Sequence, residues 1–130
     1  MVKTRERKVE MIADYIPEQK IESGHESGSL LLLGWGSTFG VCESVTNSLT
    51  QLGYSVGHAH LRYLRPFPRN LEELMRRFDK VVIPEINNGQ LVKVIRDKYL
   101  LPAVPFNKIQ GTPIAHEELF DFALNLVDKG

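Results

Sequence analysis

The chain has 130 residues, 42% of them hydrophobic and 25% charged, which suits one ordinary globular core. Sixteen basic and sixteen acidic side chains cancel, leaving no basic excess for nucleic acid or an anionic membrane surface. No apolar run reaches the roughly 18 residues of a bilayer span. The charged stretch Met1 to Glu10 lacks the apolar core of a signal peptide, so the expected location is cytoplasmic. A single cysteine, Cys42, excludes an internal disulfide and an all-cysteine iron–sulfur site.

In chain order, Lys3 to Ile16 suits a helix with a narrow apolar stripe of Val9, Ile12, Ala13 and Ile16, stopped by Pro17. Glu18 to Gly28 is polar, with two glycines and two serines, and reads as a linker, so the expected organisation is a helix and linker over 1–28 and a compact domain over 29–130. An opening without a strand suggests a piece of a longer polypeptide or a small docking subunit. Leu30 to Trp35 has no polar alternation and fits a strand buried on both faces, as in a parallel sheet. Ser37 or Thr38 can cap the following helix, whose inward face is expected to be Val41, Cys42, Val45, Leu49 and Leu52. A second strand follows over Tyr54 to Leu61, with Val56, His58 and His60 on one face. Asn70 and Glu73 have capping-box spacing before a short helix carrying Leu71, Leu74, Met75 and Phe78. Lys80 to Pro84 reads as a third strand, and Gln90 to Leu100 as a helix presenting Leu91, Val94, Ile95 and Tyr99. Ala103 to Lys108 is a fourth strand. Gly111-Thr-Pro113 signals the start of a last helix burying Leu119, Phe122, Ala123 and Leu126. This β-α alternation implies a largely parallel sheet with helices on both faces.

Three loops carry the unusual residues. Gly34, Gly36 and Gly40, with Ser37 and Thr38 between them, permit a tight turn and close approach of the next helix. The spacing departs from the dinucleotide fingerprint by one residue, and Leu61-Arg62 stands where a ribose-binding acid belongs. An anion at this turn is the alternative to a plain strand-to-helix bend. Arg65, Pro66, Phe67 and Pro68 form a stiff turn that shapes the chain or presents an exposed Phe67 as an interface anchor. Glu85, Asn87, Asn88, Gly89 and Gln90 offer either a helix cap by Asn87 or Asn88 or a polar contact surface. His58 and His60 share a face but have no third ligand at sensible spacing, so a structural role is expected for them, as for His25 and His116. Cys42 falls on an inward helix face with no adjacent base. No Ser/His/Asp set, phosphate-cradling lysine loop or carboxylate pair stands out.

Together, Leu-Leu-Leu-Gly-Trp-Gly-Ser-Thr-Phe-Gly (31–40), His-Leu-Arg-Tyr-Leu-Arg-Pro-Phe-Pro (60–68) and Pro-Glu-Ile-Asn-Asn-Gly-Gln-Leu (84–91) resemble the C-terminal portion of the alpha subunit of 2-oxoacid:ferredoxin oxidoreductases, most closely the 2-oxoglutarate type. The resemblance implies a three-layer α/β/α fold like the C-terminal domain of transketolase, with a five-stranded mixed sheet in which one strand runs antiparallel. The pattern of this sequence marks four strands, and the fifth is expected as a short edge strand near Gln110. It implies a part in oxidative decarboxylation of a 2-oxo acid to an acyl-CoA with reduction of ferredoxin. Thiamine diphosphate, magnesium, the iron–sulfur cluster and CoA would lie elsewhere in the complex, because this sequence lacks the family's Gly-Asp-Gly…Asn motif and has too few cysteines. No catalytic, cofactor-binding or metal-binding residue maps here. The expected work is scaffolding against the rest of alpha and the beta subunit, through the three loops. Competing readings are a small nucleotide- or phosphate-binding regulator at Gly34 to Gly40 and an autonomous small enzyme.

Overall fold

A computed structural model describes residues 17–62, 67–86, 90–108 and 114–127. The helix expected over Lys3 to Ile16 lies outside them. The chain alternates as the pattern requires: β1 (Ser23–Gly24), β2 (Gly28–Trp35), a 3-10 turn (Gly36–Thr38), α1 (Phe39–Gln51), β3 (Val56–Leu61), α2 (Leu71–Arg76), β4 (Phe78–Ile86), α3 (Gln90–Tyr99), β5 (Val104–Lys108) and α4 (His116–Leu126).

The sheet has five strands in the order β1-β3-β2-β4-β5. Four are parallel, and β1 lies antiparallel at one edge with Ser23 opposite His58 and Gly24 opposite Gly57. The four leucines occupy the central strand β2. Leu30 and Leu32 face α1 and α4, with Cys42, Val45, Leu49, Val56, Leu119 and Ala123. Leu31 and Leu33 face α2 and α3, with Leu71, Leu74, Met75, Leu91, Val92 and Ile95. Burial on both faces explains the unbroken apolar run: helices cover each side of a parallel sheet.

The fifth strand is not near Gln110, which lies outside the described residues; it is Ser23–Gly24, inside the stretch read as a linker. Its Gly and Ser composition hides it from periodicity, and its partners are some 35 residues away in sequence. Leu52 is 61% exposed because α1 ends one residue earlier and Leu52 serves as its C-terminal cap. Val94 is 47% exposed, since Leu91, Val92 and Ile95 form the buried arc of α3 and Val94 points away from it. Phe78 belongs to β4 rather than to α2, which stops at Arg76. Phe122 and Leu126 are only partly buried, at the margin of the α1/α4 layer.

Candidate functional site at the carboxyl edge of the sheet

From β2 the chain leaves on the α1 face and turns toward β3; from β4 it leaves on the opposite face through α3 toward β5. Neighbouring parallel strands whose connections diverge in this way form a topological switch point, where open α/β sheets place their crevices. The β2–β4 ladder ends at Leu32–Val82, although β2 continues to Trp35 and β4 to Ile86. The two strands therefore part at their carboxyl ends. The glycine turn and the Glu85 segment, 50 residues apart in sequence, flank this gap.

The glycine turn is internally closed. The Trp35 N–H donates to Thr38 Oγ1 at 3.0 Å, and the Thr38 hydroxyl donates to the Trp35 carbonyl at 2.9 Å. Gly36 takes φ +64°, a left-handed value that a side chain disfavours. A Cβ on Gly34 would sit 2.8 Å from Thr38 Oγ1 and 3.1 Å from Cys42 Sγ, so this residue admits the helix to the strand. Gly40 has nothing within 4 Å of its Cβ position and is not needed for that approach, contrary to expectation. Ser37 is exposed and Thr38 buried. With the Trp35 amide already donated to Thr38 Oγ1 and the Thr38 hydroxyl turned back to the Trp35 carbonyl, an anion cradle is not favoured here.

Glu85 is 2% exposed, and its carboxylate accepts the N–H of Leu91 at 2.9 Å and of Val92 at 3.2 Å. Bound to two amides of the first turn, it caps the N-terminus of α3 from β4. Gln90 opens α3. Asn87, Asn88 and Gly89 lie outside the described residues, as do Arg65 and Pro66.

Phe67 is not an exposed anchor. It is 8% exposed, packs in the α2/α3 core with its ring centroid 6.0 Å from that of Tyr99, and is covered by Lys98 Nζ at 5.8 Å. Pro68 is buried beside it. An aromatic between two prolines leaves the sheet edge and turns inward, which composition does not reveal.

At the β3 end lies a cluster the local pattern missed. Arg62 Nη1 bonds Glu22 Oε1 at 2.7 Å, and this bond holds the Glu22 carboxyl below the usual range. The Gln19 side chain donates to the His60 carbonyl at 2.9 Å. The Asn70 side chain exchanges two bonds of 2.7 Å with the Gln19 backbone. Asn70 thus ties down residue 19 and makes no capping bond to α2, so the expected capping box is absent. Pro17 to Lys20, His60 and Arg62 line an open cleft of about 220 Å³ there. Their partners lie about 40 to 50 residues away, beyond the reach of any short motif.

The chemistry of these groups is quiet. Burial pushes the Cys42 thiol up to about 12, far from a thiolate at neutral pH. Burial pulls His58 down to about 4 and lowers His60 as well, so both rings are neutral at pH 7. His116 Nδ1 pairs with Ser44 Oγ at 2.8 Å. Among the described residues no group of three His, Cys, Asp or Glu side chains could hold a metal, and one cysteine in the sequence does not fit a cluster needing four thiolates. No helix among them is long and apolar enough to cross a membrane.

Comparison with known proteins agrees with this architecture. The chain is 40% identical over 122 residues to 2-oxoglutarate oxidoreductase subunit KorA of Mycobacterium tuberculosis, covering 94% of this chain and 18% of that protein. It is 32% identical to 2-oxoacid:ferredoxin oxidoreductase 1, subunit alpha, of Aeropyrum pernix, covering all of this chain and 21% of that one. The chain thus spans about a fifth of the length of these relatives. Its fold superposes with TM-score 0.81, at 24% identity, on 2-oxoglutarate:ferredoxin oxidoreductase from Magnetococcus marinus, a structure with 2-oxoglutarate, coenzyme A and succinyl-CoA bound; 89% of this chain and 21% of that chain are covered. Residues 29–118 match the pyruvate:ferredoxin oxidoreductase core domain II, and the chain belongs to that family.

Proposed function

We propose that this chain serves as the core-domain-II module of the alpha subunit of a 2-oxoacid:ferredoxin oxidoreductase, of the 2-oxoglutarate type, and that its work is structural. The observation that supports this most directly is the chemistry of the carboxyl edge: three of its buried groups, Glu85, Thr38 and Cys42, serve the fold itself. Glu85 caps α3, Thr38 closes the glycine turn, and Cys42 is buried and protonated. A site so arranged orients neighbours rather than transforming a substrate.

In this reading the edge around Ser37 and Gly40 packs against the rest of alpha and the beta subunit in the cytoplasm. Thiamine diphosphate, magnesium, the iron–sulfur cluster and CoA are held by those other parts, where oxidation of the 2-oxo acid and reduction of ferredoxin occur. The domain boundary near residue 29 also belongs to this proposal, with the β1 segment as an arm of the preceding polypeptide laid onto the sheet.

The test is a segment exchange. Residues 29–118 of this chain replace the matching segment in the alpha subunit of the Mycobacterium tuberculosis relative, and the exchanged subunit is co-expressed with its beta subunit. An assembled complex that oxidises 2-oxoglutarate supports the proposal, as does absence of turnover by the 130-residue chain alone with 2-oxoglutarate, CoA, thiamine diphosphate and an electron acceptor. Turnover by the chain alone, or an exchanged subunit that folds but no longer assembles, refutes it.

A further inference from the structure

Buried polar side-chain atoms nearly always find a hydrogen-bond partner. Among the described residues six do not: Ser23 Oγ, Thr46 Oγ1, Thr50 Oγ1, both ring nitrogens of His58, and His60 Nδ1. They are not scattered. All belong to β1, α1 and β3, the three elements that meet along one edge of the sheet.

His58 is the centre of this seam. It is wholly buried, and its ring meets Phe39 of α1 edge-on at 5.1 Å, with His60 at 6.4 Å. Among the described residues no acceptor waits for a proton on it. From its own strand it faces His60, and from the residue just past that strand Arg62, a cation. From the β1 side it faces Glu22, whose carboxylate is already held by Arg62 at 2.7 Å. From α1 come Phe39 and the protonated Cys42, whose sulfur borders the same space at Gly34 as His60 Nδ1. A charged imidazolium in this seam must reach water, because an unpaired buried ion is too costly to keep.

The exits differ greatly in cost. On one side stands β2, buried and paired with both neighbours. Above lies α1, a helix of 13 residues. On the outer side lies β1, two residues long, held to β3 by few backbone bonds, among them Glu22 N–H to the His58 carbonyl and His25 N–H to the Val56 carbonyl. Residues 24–27 beside it are exposed. Weakly held edges with few buried contacts open first.

We propose that the seam between α1 and the β1–β3 edge is a proton-triggered latch: uptake of one proton by His58 from bulk water releases Ser23–Gly24 from β3 while the four parallel strands stay paired. The only bond formed is N–H on the imidazole. The ring of the released state titrates near the ordinary histidine value of 6.5 and that of the closed state near 4. The opening equilibrium of β1 therefore rises about thirtyfold between pH 7.5 and pH 5.

Hydrogen exchange on the full 130-residue chain, expressed as protection factors at pH 7.5, 6 and 5, tests this. The Glu22 and His25 amides lose about thirtyfold protection over that range, while amides of β2 and β4 keep theirs. In His58→Met, which cannot be protonated and keeps a similar volume, the Glu22 and His25 amides keep constant protection; in His116→Gln the loss is that of the unaltered chain. Constant protection of β1 in the unaltered chain, loss in step with β2 and β4, or an equal loss in His58→Met overturns the latch. Should His58→Met not fold, an NMR titration of the His58 ring in the unaltered chain decides. A ring titration whose midpoint coincides with the β1 opening supports the latch; a midpoint displaced from it overturns it.

Discussion

Replacing Glu85 separates a structural cap from a contact group. The carboxylate sits on β4 with 2% exposure and accepts two amides, those of Leu91 and Val92, residues themselves 5% and 3% exposed. A bond to an ionised acceptor contributes about 1.5–3 kcal/mol net, and a charge at a helix N-terminus adds up to about 2 kcal/mol in a partly buried place. Glu85→Gln keeps one carbonyl oxygen, turns an NH₂ group toward a second donor and removes the charge, so it costs about 2 kcal/mol. Glu85→Ala leaves both amides without an acceptor and costs about 4 kcal/mol. For a chain of this size about 4 °C of Tm follows each kcal/mol, so Glu85→Gln melts about 8 °C lower. Circular dichroism melts and urea titrations of the 130-residue chain measure this, and hydrogen exchange localises the loss to the first turn of α3. If both variants stay within about 0.5 kcal/mol of the parent, the cap contributes nothing and the reasoning fails. Unchanged stability with weakened subunit association would assign Glu85 to the contact surface instead.

The two glycines of the turn should separate cleanly. Gly34→Ala drives a methyl into Thr38 and Cys42 and costs about 1–3 kcal/mol, whereas Gly40→Ala, in a helix with open space, is neutral or stabilises by up to about 1 kcal/mol. Equal urea midpoints for the two variants would contradict the packing described. Asn70→Ala removes two bonds to the Gln19 backbone and costs about 1–2 kcal/mol, with faster exchange at the Gln19 amide but not along α2, since the side chain does not cap that helix. Faster exchange confined to α2 would restore the capping role.

Elements with a dense local signal were readable from the chain alone. Four leucines in a row demanded a strand covered on both sides, and Cys42, Val45 and Leu49 at helical spacing marked the inner face of α1. The alternation of strands and helices follows from such runs, because each is a property of neighbouring residues. The three loop motifs were readable too, and they carried the resemblance that the comparisons bear out.

What depends on chain folded against chain was not. Ser23–Gly24 is a strand only because β3 offers it an edge, and nothing in Ser or Gly favours that state by itself. Phe67 looked exposed between two prolines until the space between α2 and α3 was seen to receive it. Glu85 was one of several polar residues in a row, and only the position of β4 beside the start of α3 shows that its carboxylate meets the helix amides. The unpartnered histidines are of the same kind. A sequence states that His58 and His60 share a face; the packing of α1 and β1 over that face decides that no acceptor remains for a proton. Local patterns report which residues seek burial, while the pairing and charge of what is buried are set by contacts tens of residues apart.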